Sequence, residues 1–119
     1  MNRTSPKRGL APLPVGAHLD EALRGLKAEA GIPVTRAADE MKVARRSLYN
    51  VIEGLSPMTP ELALRLEAYG LGSAEQWLQL QQAYVLWRAR ADLAAELAAI
   101  PRGWPGSGEG DGAGEADAA

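Results

Sequence analysis

Apolar residues in this chain recur every three or four positions from about residue 14 to residue 100, and glycine or proline cuts the pattern into segments. A spacing near 3.6 gathers such residues on one face of a helix, whereas a half-buried strand needs strict alternation. No segment alternates apolar and polar residues between hairpin turns. The spacing therefore predicts an all-α domain.

The segments can be placed individually. Leu19, Leu23 and Leu26 share one face of a helix from about Ala17 to Ala30, which Gly31 ends. A shorter helix between Pro33 and Lys42 buries Ala37, Ala38 and Met41, and a third, Arg45 to Glu53, turns Leu48, Val51 and Ile52 inward before Gly54. Thr59-Pro60-Glu61 starts a fourth helix: Thr59 as the cap, Pro60 at the first position, Glu61 beside the positive end of the dipole. Its stripe is Leu62, Leu66 and Tyr69, and it stops at Gly70 or Gly72. Ser73 with Gln76 reads as a capping box opening a fifth helix that can continue to Ile100, where Pro101 prevents extension.

That fifth helix carries apolar residues on more than one face. Trp77, Leu80, Tyr84, Trp87, Ala91 and Ala94 form one set, and Leu78, Val85, Leu86, Leu93 and Leu97 a second. A small helical body covers one stripe only, so the helix needs another partner. A two-fold homodimer through Trp77, Leu80, Tyr84, Trp87 and Ala91 is the economical expectation.

Charge is unevenly distributed along the 119 residues. The formal net charge is −2, yet residues 101–119 hold four acids (Glu109, Asp111, Glu115, Asp117) against Arg102. The first 100 residues hold 12 Lys and Arg against 11 acids. The acidity thus belongs to a Gly-rich tail, 101–119, expected to be disordered, while residues 1–13, with Arg3, Lys7 and Arg8, read as a flexible basic arm. With no cysteine and one histidine, His18, the chain has no disulfide and no thiolate or multi-histidine metal site, and no cofactor or metal is expected. No apolar run approaches the roughly 18 residues of a membrane span, and no signal peptide is evident, so a cytoplasmic protein is expected.

Residues 33–54 carry the functional pattern. Two short helices meet at Lys42-Val43-Ala44, and the second would present Arg45, Arg46, Ser47, Tyr49 and Asn50 outward while Leu48, Val51 and Ile52 pack. This is the layout of a DNA-binding helix-turn-helix with its recognition helix at 45–53. Arginine in the first turn can grip guanine or phosphate, and Asn50 can read adenine; Ser47 and Tyr49 can donate to either. Thr35 and Arg36 would meet the phosphate backbone at the start of the preceding helix.

The stretch Val43-Ala44-Arg45-Arg46-Ser47-Leu48-Tyr49-Asn50-Val51-Ile52-Glu53-Gly54 resembles the recognition region of Xre/lambda-repressor-like proteins. Met58-Thr59-Pro60-Glu61-Leu62-Ala63-Leu64-Arg65-Leu66 followed by Trp77-Leu78-Gln79-Leu80-Gln81 narrows the likeness to HigA-type (VapI-like, plasmid-maintenance) antitoxins, over residues 14–92. The resemblance implies a five-helix domain at 14–100 with the helix-turn-helix at 33–54 and a dimerisation helix at 74–100. It also implies an antitoxin that neutralises a RelE/HigB-like mRNA-cleaving toxin and binds a palindromic operator to repress its own operon. This sequence departs from the family pattern at Val34, Ala37, Lys42, where glycine is common, and Ala44, where a Ser or Thr cap is usual.

Other residues carry less. Asp20/Glu21 and Asp39/Glu40 read as solvated charges or ion-pair partners rather than an acid–base pair, and Trp104 as an exposed bystander. No set of catalytic groups converges, so no enzyme is expected. Two other readings stay open: a repressor with no toxin partner, and a protein-interaction module whose helix-turn-helix is vestigial.

Overall fold

A computed structural model describes residues 11–106; the basic residues expected in the arm and the acids expected in the tail lie outside them. Among the described residues the only regular structure is helical: α1 (Val15–Ala30), α2 (Val34–Met41), α3 (Arg45–Ile52), α4 (Pro60–Tyr69), α5 (Ala74–Asp92) and α6 (Ala94–Ala98). They divide into two compact units, one ending at Ala89 and one beginning at Arg90.

The first unit is built on one core. Val15, Leu19 and Leu23 of α1, Ala37, Ala38 and Met41 of α2, and Leu48 and Val51 of α3 meet Met58 and Leu62, Ala63 and Leu66 of α4, with Ala74 and Trp77 of α5. Leu26, Ile52 and Tyr69 are half-buried against it. The stripes expected from the spacing are therefore the faces that pack.

Four helices end on the same device. An N–H just past the last turn bonds back to a carbonyl of that turn: Ile32 to Leu26, Val43 to Ala38, Leu55 to Asn50 and Leu71 to Leu66, at 3.4, 3.0, 2.8 and 2.9 Å. This closure needs a left-handed residue between, which glycine supplies without a Cβ clash. Gly31, Gly54 and Gly70 take it at φ 71°, 80° and 100°, but after α2 the residue is Lys42, at φ 60°.

The helix starts are sealed as the sequence implied. Thr59 Oγ1 accepts from the Leu62 N–H at 3.1 Å, ahead of Pro60. Ser73 Oγ accepts from the Gln76 N–H at 3.0 Å, and Gln76 Oε1 accepts from the Ser73 N–H at 3.4 Å. Ala44, at the start of α3, offers no side-chain cap.

Helix α1 begins two residues earlier than expected, at Val15, and its second residue explains how it packs. A Cβ on Gly16 would lie 2.4 Å from the Val51 carbonyl oxygen and 2.6 Å from that of Ile52, so only glycine lets α1 sit on the last turn of α3. From the other side, Gln81 of α5 fixes the loop before α4: its Oε1 accepts from the Met58 N–H at 2.5 Å and its Nε2 donates to the Met58 carbonyl at 2.8 Å. The Trp77 indole N–H donates to the Leu71 carbonyl at 2.6 Å, and Glu67 accepts the Ala74 N–H at 2.7 Å.

The second unit corrects one expectation. The fifth helix does not run to Ile100; it stops at Asp92, and Leu93 (φ −105°, ψ 12°) separates it from the five-residue α6. No glycine or proline forces this break. Every described residue from Arg90 onward is exposed, and a helix without packing on an apolar face lacks what holds long helices together.

Candidate nucleic-acid interface

The candidate site is built on α2, the turn at Lys42 and α3, and buried residues on one side decide what faces outward on the other. Leu48 and Val51 are buried and Ile52 half-buried, which turns the opposite side of α3 to solvent. Arg45, Arg46 and Ser47 are exposed, and Tyr49 and Asn50 half-buried. Among the described residues no carboxylate pairs with Arg45 or Arg46. Their charge is available to an anionic partner.

The seven residues expected to contact DNA are distributed over α2, α3 and the clefts on either side of α3. Ser47 and Asn50 line a cleft shared with Lys42, Thr59 and Arg65, on the α4 side of α3. Tyr49 lines a second cleft with Thr35, on the side of α1 and α2, floored by Leu23, Val34 and Ile52. Arg45 and Arg46 occupy the first turn of α3. The layout is a helix edge carrying two cations, flanked by two clefts of mixed polar and apolar lining.

Arg36 differs from that pair. Its Nε donates to Glu40 Oε2 at 3.1 Å, one turn along α2, and the Tyr69 hydroxyl of α4 donates to the other oxygen of Glu40. The Tyr69 hydrogen bond, with help from Arg36, holds the Glu40 carboxyl below its ordinary range, and the same bond raises the Tyr69 phenol. Arg65, one turn before Tyr69, donates to the Met41 carbonyl at 2.9 Å while pairing with Glu61 at 3.0 Å. Two side chains of α4 thus hold the last turn of α2. Tyr69 is expected in the core and Glu40 as a solvated charge or an ion-pair partner; the pair with Arg36 at i, i+4 meets the second expectation, but the long-range partner Tyr69 is not visible in the sequence.

Of the five residues expected at a dimer interface, Trp77 is buried in the unit's own core and Leu80 is half-buried against it. Tyr84 is half-buried and Trp87 is 42% exposed, their rings 6.0 Å apart at 35°. Val85 and Leu86 beside them are also exposed. Ala91 is exposed and falls in the second unit. Among the described residues no group of three or more His, Cys, Asp or Glu is placed to hold a metal ion, and no helix is long and apolar enough to cross a membrane.

No family model matches the chain, and no curated protein matches it in sequence. Solved structures do match. The antitoxin GraA is 26% identical, with a TM-score of 0.66 over 79% of this chain and 99% of its own. An addiction module antidote protein of the HigA family from Coxiella burnetii is 20% identical, with a TM-score of 0.66 over 78% and 99% of the two chains. The Pseudomonas aeruginosa antitoxin HigA, solved with the higBA promoter, is 22% identical, with a TM-score of 0.65 over 78% and 98%. The all-helical architecture, the left-handed turn between α2 and α3 and these likenesses agree: the chain has the helix-turn-helix fold of the HigA-type antitoxins.

Proposed function

We propose that the chain is the antitoxin of a type II toxin–antitoxin module. It binds a RelE/HigB-like mRNA-cleaving toxin and suppresses it, and as a dimer it occupies a palindromic operator and represses its own operon. The observation that carries this reading is the exposed Arg45–Arg46 pair at the start of α3, which no carboxylate pairs among the described residues, in a fold shared with an antitoxin solved with its promoter. The work is done by binding, in the cytoplasm, and needs neither metal nor cofactor.

In this reading α3 enters the major groove. Arg45 and Arg46 grip guanine edges or phosphates bidentately, Asn50 pairs with adenine, and Ser47 and Tyr49 donate to phosphate or base from the two flanking clefts. Thr35 and Arg36 meet the backbone of one strand. The dimer forms through the exposed apolar side of α5, with Val85 and Trp87 added to Tyr84 and Leu80, so that two copies of α3 reach half-sites about one helical turn, ~34 Å, apart. Residues 1–13 and 101–119 flank the 14–100 domain as arm and tail.

Co-expression with the product of the adjacent reading frame tests the antitoxin half. Co-purification, with mRNA cleavage by that product abolished by this chain, supports it; a chain that binds promoter DNA but leaves the neighbour active would leave a repressor alone.

A further inference from the structure

Of the three arginines of the helix-turn-helix, Arg36, Arg45 and Arg46, one is already paired with a carboxylate. Arg36, in the first turn of α2, gives its Nε to Glu40 at 3.1 Å. An exposed i, i+4 pair of this kind is weak and mobile when left to itself. Here it is not left to itself. The far oxygen of Glu40 receives the Tyr69 hydroxyl, and Tyr69 is half-buried against the core, so the carboxylate is rooted in α4. Glu40 lies toward the C-terminal end of α2, so the pair draws the guanidinium along the helix, away from the end that attracts phosphate. Only Nε is engaged, but carrying the guanidinium to the phosphate-attracting end of α2 draws it off Glu40, and the carboxylate left nearby repels the same phosphate.

We propose that Glu40 is a positioning residue that sets DNA affinity: it holds Arg36 in the free protein, and Arg36 exchanges Glu40 for a backbone phosphate when α2 meets DNA. The proposal rests on the DNA-binding reading above. It gives the Tyr69–Glu40 hydrogen bond a role beyond bracing α2 on α4, namely keeping binding weak enough for Arg45, Arg46 and Asn50 to decide which sequence is held. Phosphate contacts add affinity without discrimination, so restraining one of them favours specificity.

Glu40→Gln tests this, because glutamine keeps one carbonyl acceptor for the Tyr69 hydroxyl while losing the charge and the second acceptor that hold Arg36. Fluorescence anisotropy on the full-length chain would use a duplex spanning the region upstream of its own gene and a scrambled duplex. Glu40→Gln is expected to tighten binding to both by roughly three- to ten-fold, the order of one charge–charge interaction near the surface. The slope of log K against log salt should steepen by about 0.9, one extra phosphate. In an Arg36→Ala background the tightening should vanish. Tyr69→Phe, which keeps the carboxylate but unroots it, should tighten binding less, and again only when Arg36 is present. Unchanged or weaker binding by Glu40→Gln, or a tightening that survives removal of Arg36, overturns the proposal and leaves the DNA-binding reading intact. A wild-type chain that binds neither duplex overturns both.

Discussion

Gly16→Ala puts a methyl group where the structure has no room for one. The new Cβ would stand 2.4 Å from the Val51 carbonyl oxygen, 2.6 Å from that of Ile52 and 2.8 Å from the Ile52 Cα, against 3.4 Å or more for an ordinary contact. All three atoms are backbone, so no rotamer change relieves the clash, and the start of α1 must retreat by about 1 Å. That retreat loosens Val15 and Leu19, which are 7% and 0% exposed; a gap of 0.5–1 Å forfeits roughly a quarter to a half of the dispersion energy between two atoms. Overpacking of this kind costs about 1–3 kcal/mol, and backbone neighbours put it at the upper end. The helix-propensity advantage of Ala over Gly returns about 1 kcal/mol. The net loss is about 2 kcal/mol, or a melting temperature lower by roughly 8–16 °C for a domain of this size. Gly25, in the same helix, is the control: an added Cβ there meets nothing within 4 Å. Gly25→Ala should raise stability by about 0.5–1 kcal/mol. Urea and thermal denaturation of both variants decide the matter. Gly16→Ala melting at or above wild type would show that α1 is not seated on α3 as described.

Three further outcomes follow from the same geometry. Lys42→Gly should stabilise the fold by about 0.5–1 kcal/mol in urea titrations, since the left-handed conformation at φ 60° costs an L-residue about 1–2 kcal/mol and glycine returns part of that as chain entropy. Gln81→Ala strips both partners from the part-buried Met58 backbone and should cost about 2 kcal/mol with an unchanged m-value. Because Tyr69 and Arg36 lower the folded-state Glu40 carboxyl, its stabilisation is present above the ordinary glutamate range and is lost as pH falls through the lowered value. The stability difference between wild type and Glu40→Gln should therefore be constant near neutrality and shrink below about pH 4; a difference independent of pH down to acid unfolding would contradict the hydrogen bond.

Much of this was legible in the sequence because local signals and the global fold agree. Apolar spacing located α1 to α4, Gly31, Gly54 and Gly70 stood where left-handed stops were needed, and Thr59 and Ser73 capped as their spacing implied. The missing pieces depend on residues distant in sequence. Gly16 is small because α3 passes over it, Gln81 clamps a loop 23 residues away, and Tyr69 reaches Glu40 across 29 positions. The end of α5 escaped for the opposite reason: its composition favours helix throughout, and the break at Leu93 lies in an exposed stretch with no glycine or proline to mark it. At the candidate interface, the helix-turn-helix pattern identified which side chains face solvent, but not that Ser47 and Asn50 line one cleft and Tyr49 and Thr35 another.

The central claim is that α3 reads operator DNA through Arg45 and Arg46. The direct measurement is an anisotropy titration of wild type and the Arg45→Ala/Arg46→Ala double variant against the duplex upstream of the gene and a scrambled duplex, over a range of salt. Wild type is expected to prefer the upstream duplex. The double variant should show no such preference, with a salt slope shallower by about 0.9 for each phosphate it no longer grips, while its thermal melt is unchanged. Equal affinity of the two proteins for the upstream duplex would contradict the claim.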